Sequence, residues 1–134
     1  MRRYALMILA GMVAATPAIA GPYLFELLEI KSYRAAWTDL FRHEKNVPAW
    51  LTEFTKSSNG VAGPSRDIQI DGQDYVLATV CKPHDCGGNM LTVVFAQLGE
   101  GAWAVLDDGS GQYRLFGKPT PAIADALKKS AADN

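Results

Sequence analysis

Apolar residues recur along this chain with two periods, and the change from one to the other divides it. From Tyr23 to Phe54 the spacing is helical. Tyr23, Leu24, Phe25, Leu27 and Leu28 predict a short amphipathic helix of about two turns. Ser32 stands where a hydroxyl would cap the next helix, whose apolar side carries Ala35, Ala36, Trp37, Leu40 and Phe41. Asn46-Val47-Pro48 breaks that pattern. Pro48, near a first turn, opens a third helix with Trp50, Leu51 and Phe54 on one side. Stripes of this kind pack inward.

Residues 57–65, Ser-Ser-Asn-Gly-Val-Ala-Gly-Pro-Ser, have the composition of a loop. After them the period falls to two. Ile68 and Ile70 lead to Asp71-Gly72, a hairpin signal. Strands are then predicted over 73–81, where Tyr75, Leu77 and Thr79 alternate with Val76, Ala78 and Val80, and over 89–98. Gly99-Glu100-Gly101 turns the chain into a strand from Trp103 to Leu106. The turn Asp107-Asp108-Gly109-Ser110-Gly111 leads to the last strand, Tyr113 to Phe116. Thr120-Pro121 opens a final helix to about Lys129, with Ile123, Ala124 and Leu127 on one face, and the end beyond Ala131 frays. The expected class is α+β: a single antiparallel five-stranded sheet, a meander, with helices packed on one face.

The first 20 residues stand apart. Arg2 and Arg3 precede an apolar run from Tyr4 to Ala15, and Ala18-Ile19-Ala20 is an A-x-A-like cleavage site. Residues 1–20 therefore read as a signal peptide, and residues 21–134 as the exported domain. The run is short for a membrane span, and no cysteine at the cleavage point offers a lipid anchor. The destination is the periplasm, an oxidising place where disulfides persist. Without Arg2 and Arg3 the exported chain keeps 11 basic residues against 14 acidic ones, a net charge of −3. An acidic domain is poorly suited to nucleic acid and compatible with a cationic protein partner.

The only two cysteines lie in Cys81-Lys82-Pro83-His84-Asp85-Cys86, followed by Gly87-Gly88. Their isolation in a secreted chain predicts that they pair. The bond would close a ring at the tip of the hairpin between the strands 73–81 and 89–98. So small a ring adds only about 2 kcal/mol by chain-entropy accounting. Local rigidity is its better explanation: Pro83 fixes one φ, and the bond fixes both ends. The ring then presents His84 outward, with Asp85 as a turn former, Lys82 at the rim, and Gly87-Gly88 suited to a sharp exit. Other readings stand beside this one. Cys81, His84 and Cys86, with His43 or Met90, could hold a soft metal if the thiols were reduced. The bond could also be purely structural and the histidine incidental. The four-residue spacing between the cysteines does not suit Cys-x-x-Cys redox chemistry, and Gly87 occupies the place that a haem-binding histidine would need. His84 has no evident serine partner, no glycine-rich phosphate loop occurs, and Asp107 and Asp108 read as solvated turn acids. The chain is expected to be no enzyme and to need no cofactor or metal.

The segment Cys81 to Gly87 resembles the signature loop of the Ivy family, periplasmic inhibitors of C-type lysozyme. Val47-Pro48-Ala49-Trp50 and the patterning around Tyr75 support the resemblance, which spans roughly residues 30 to 128. It implies an antiparallel sheet with helices on one side. It also implies an occlusive mechanism: the loop enters the lysozyme cleft, and His84 meets the catalytic acid and its partner carboxylate. The cell's own lytic transglycosylases are an alternative target, and a small metal- or ligand-binding module is an alternative function. Monomer and homodimer both stay open.

Overall fold

The computed structural model describes residues 19–134. The expected leader, apart from Ile19 and Ala20, lies outside the described residues. Among the described residues no helix is long and apolar enough to cross a membrane.

Among the described residues three helices come first: α1 (Leu24–Leu27), α2 (Lys31–Phe41) and α3 (Ala49–Ser57). The first is one turn rather than two. Arg34 Nε donates to the Leu28 carbonyl at 2.7 Å, which closes the end of α1. Helix α2 starts at Lys31, so Ser32 is not its cap; the flanking residue is Ile30, with no side-chain bond. The Arg34 amide already bonds Ile30 O, which places Ser32 inside the first turn. Pro48 immediately precedes α3, as its fixed φ and missing N–H favour. Trp37 Nε1 donates to Thr55 Oγ1 at 2.7 Å and ties α2 to α3.

Six strands follow rather than five: β1 (Val61–Ala62), β2 (Arg66–Ile70), β3 (Gln73–Cys81), β4 (Met90–Ala96), β5 (Ala102–Asp107) and β6 (Tyr113–Phe116). All pairs are antiparallel, in the order β1-β3-β4-β5-β6, with β2 also on β3. The added strand comes from the segment expected to be a loop. Val61 and Ala62 pair with Cys81 and Val80, while β2 pairs further along the same edge of β3. The register slips by one residue between them, so Gly63-Pro64-Ser65 forms a bulge in one broken edge strand. Asp71 and Gly72 both take positive φ, 50° and 76°, as a tight hairpin turn requires. The run to Leu98 ends as a strand at Ala96, because Gln97–Gly99 forms a 3₁₀ turn with Leu98 at φ 62°.

The chain's early residues cross the bulge. The Gly21 amide donates to Ser65 O at 3.0 Å, and the Ser65 amide donates to Pro22 O at 2.9 Å. A Cβ on Gly21 would lie 2.6 Å from Ser65 O, so the approach requires glycine.

The expectation of helices on one face needs correction. Helices α1 to α3 cover one face, where Leu24, Trp37, Leu51 and Phe54 meet Val80, Val93 and Phe95. The last helix, α4 (Pro121–Ala132), covers the other, where Ile123 and Leu127 meet Val94 and Val105. Strand β4 explains the division. Leu91, Val93 and Phe95 point one way and Val94 the other, and all are fully buried. A strand apolar in both parities must be covered twice. Thr120 caps α4 as expected, its hydroxyl accepting from the Ile123 amide.

Arg114 on β6 fixes the α2–α3 connection. Its guanidinium donates to Lys45 O at 2.7 Å and Asn46 O at 3.0 Å, and it lies 4.7 Å from the Phe116 ring centroid. A lysine keeps the charge but not the planar fork. Arg114→Lys is therefore expected to cost about 1 kcal/mol. In urea unfolding the midpoint should fall with the slope unchanged; an unchanged midpoint would show that the fork holds nothing.

Candidate functional site

Strands β3 and β4 stay in register down to Cys81↔Met90. The Lys82 amide then donates to Asn89 O at 3.0 Å, one rung further. Beyond that rung the chain must reverse. The Asp85 amide donates to Lys82 O at 3.1 Å, closing a four-residue turn with Pro83 and His84 at its centre. Pro83 favours the first central position, and His84 takes φ 63° at the second, so the turn is type II. Glycine usually fills that second position. Histidine is among the more tolerant alternatives, but left-handed backbone still costs a side-chain-bearing residue roughly 1–2 kcal/mol.

The Cys81–Cys86 bond spans this turn, with Cα atoms 4.9 Å apart. Cys81 is buried, while Lys82, His84 and Asp85 are exposed. The ring expected from the sequence is thus formed, and His84 sits at its outer end. With both sulfurs in the bond, the reduced thiolates that a soft-metal module needs are not free.

Two details differ from expectation. Gly87 and Gly88 do not take positive φ; the left-handed residue is His84 itself. The Asp85 carboxylate serves a side chain instead of local amides. Asn89 Nδ2 donates to Asp85 Oδ2 at 2.8 Å, and Lys82 Nζ lies 3.9 Å from the same oxygen. Asp85 therefore braces the ring across its neck. Lys82 leans on Asp85, and this exposed pair adds little energy. Asn89 was not picked out from the sequence. Its signal was a polar residue facing the acid across the Gly87-Gly88 exit.

The turn between β5 and β6 stands at the same end of the sheet. The Gly109 amide donates to Asp107 Oδ1 at 2.9 Å, and the Ser110 amide donates to Asp108 Oδ1 at 3.0 Å. The Ser110 hydroxyl, followed by its amide, holds the Asp108 carboxyl below the usual carboxylate range. His43 is exposed just past α2, away from the ring, as a solvated residue at a helix end.

Two predictions come from this geometry. Replacing both Cys81 and Cys86 by Ser should lower stability by about 2 kcal/mol and loosen the ring. Intact mass before and after reduction should differ by two hydrogens, and two alkylatable thiols in unreduced protein would contradict the bond. The second concerns pH. A carboxyl whose folded pKa is depressed stabilises its surroundings above its unfolded pKa, and that contribution is lost as pH falls through the folded value. The Ser110 amide resonance should therefore titrate below the usual carboxylate range; a midpoint at the ordinary aspartate value would show that the bonds do not hold in solution.

Comparison with known proteins adds an independent finding. A family model described as "Inhibitor of vertebrate lysozyme (Ivy)" matches residues 32–133. The chain is 36% identical over 121 residues to an "Inhibitor of vertebrate lysozyme" of Pseudomonas aeruginosa, covering 81% of this chain and 76% of that protein. It is 26% identical over 111 residues to a protein of the same name in Escherichia coli K12, covering 79% and 67%. An uncharacterized protein of Yersinia pestis is 31% identical over 129 residues, covering 87% and 81%.

Proposed function

This chain belongs to the Ivy family, the inhibitors of vertebrate lysozyme, and we propose that it stops a C-type lysozyme by filling the enzyme's cleft with the Cys81–Cys86 ring. The observation that carries this reading is His84: exposed, left-handed at φ 63°, and held at the end of a closed ring. Unfavourable backbone geometry at an exposed polar side chain points to a role for that side chain.

The chemistry of the target fits. A retaining glycosidase carries two carboxyl groups about 5 Å apart, one of them kept protonated as general acid. An imidazole has two polar nitrogens and can hydrogen-bond to both groups. The ring offers the enzyme no glycosidic bond to cleave. Inhibition on this reading is occupancy, and the protein itself carries out no reaction. Because Pro83 and the disulfide have already ordered the loop, binding avoids a cost of about 1 kcal/mol for each side chain it would otherwise immobilise. The net charge of −3 after loss of the leader favours encounter with a cationic enzyme. Export to the periplasm belongs to the same reading, supported by the leader pattern of residues 1–20 and by the closed disulfide.

The test replaces His84 twice. His84→Ala removes the imidazole. His84→Asn also removes it but keeps a residue that tolerates left-handed backbone. Both should weaken inhibition of lysozyme-driven cell lysis by roughly thirtyfold or more, the scale of an interface hot spot. Circular dichroism should show both folded. Wild-type inhibition by folded His84→Ala would refute the ring-in-cleft mechanism. Inhibition of a lytic transglycosylase but not of lysozyme would move the same ring to a different target.

A further inference from the structure

Two connections leave the sheet at its ring end: the loop from Lys82 to Asn89 between β3 and β4, and the turn from Asp108 to Gln112 between β5 and β6. They touch through two glycines. Gly109 has φ 77°, and a Cβ placed on it would lie 3.3 Å from both the Cα and the carbonyl oxygen of Gly88. Backbone therefore meets backbone at the exit of the disulfide ring. A side chain at Gly109 would push that exit outward. By contrast, a Cβ on Gly72, at the opposite end of β3 and with φ 76°, would meet nothing within 4 Å.

The turn is built to resist such a push. The amides of Gly109, Ser110 and Gln112 are each taken by a side-chain oxygen, from Asp107, Asp108 and Ser110 respectively. Asp107 belongs to β5, whose Cα partner on β4 is Met90, the first residue after the loop. The stiffness of the turn is therefore anchored in the strand paired with the one that receives the ring.

We propose that the β5–β6 turn is a splint for the inhibitory ring, with Gly109 and Asp107 as positioning residues that set the angle at which His84 is presented. The inference rests on the ring-in-cleft reading. A constellation of this kind works only if held within about half an ångström of its productive geometry. The disulfide fixes the ring internally but not its direction relative to the sheet. The Gly88–Gly109 contact constrains that direction.

The experiment compares Gly109→Ala with Gly72→Ala. Both place a Cβ at positive φ, so both lose stability to the same backbone strain, but only the first meets the ring. Gly109→Ala should weaken lysozyme inhibition on the order of tenfold relative to Gly72→Ala. In the free protein, nitrogen relaxation should show the His84 and Asp85 amides shifted or more mobile in Gly109→Ala alone. Should Gly109→Ala fail to fold, Asp107→Ala and Asp107→Asn serve instead. The first removes the acceptor of the Gly109 amide, and the second keeps a carbonyl acceptor without the charge. Asp107→Ala should then mobilise the ring amides and weaken inhibition, and Asp107→Asn should restore both. Equal inhibition and unchanged ring amides in Gly109→Ala and Gly72→Ala would overturn the splint. So would Asp107→Asn behaving like Asp107→Ala. If His84→Ala inhibits fully, the ring-in-cleft reading fails instead, while the amide measurement in free protein still decides whether turn and ring are coupled.

Discussion

The pairing of β3 with β4 constrains everything else in this molecule. The two strands run in register from Tyr75↔Ala96 to Cys81↔Met90. Side chains alternate between faces, so a slip of one residue would send Val93 and Phe95 to the α4 side and Val94 to the other. Both cores would be lost together, which makes the register hard to change. The same register fixes where the hairpin must turn and which residue lands at the turn's second central position. Core packing therefore determines the placement of an exposed histidine that has no part in the core.

The stabilising work and the presenting work are divided between different groups. Leu24, Trp37, Phe95 and Phe116 are wholly buried and hold the sheet to its helices. The ring adds little to that total, because closing about six residues removes little entropy from the unfolded chain. Its members act on one another. Pro83 sets the turn, Asp85 accepts from Asn89, and the disulfide spans both. A loop organised in this way can meet a partner without first being ordered.

Much of this was legible in the residues. Asp71-Gly72, Pro48 and Thr120-Pro121 act where turn and cap chemistry place them, because their effects are local. The ring was legible because two isolated cysteines leave one pairing. The expectation of all helices on one face was wrong for α4, although Leu91 to Phe95, apolar in both parities, carried the signal. Ser32 has the chemistry of a cap, but α1 feeds so closely into α2 that Ile30 already takes the flanking position. Strand β1 was hidden in a glycine- and proline-rich segment, since two residues are too few to show a period. The Gly88–Gly109 contact lay beyond reach for a different reason. It joins two loops whose nearness follows only from the strand order.

The hydrogen bonds between Gly21, Pro22 and Ser65 matter for the behaviour of the protein in crowded solution. A sheet's outer strand offers free amides and carbonyls to any extended chain that drifts past, and that invitation is how sheets aggregate. Here the outer strand is short, bent at its bulge and interrupted by Pro64, which has no amide to offer. The groups on Ser65 are already taken from within the same chain. On the ring-in-cleft reading, an edge that is unreceptive to passing chains leaves recognition of another molecule to the protruding ring.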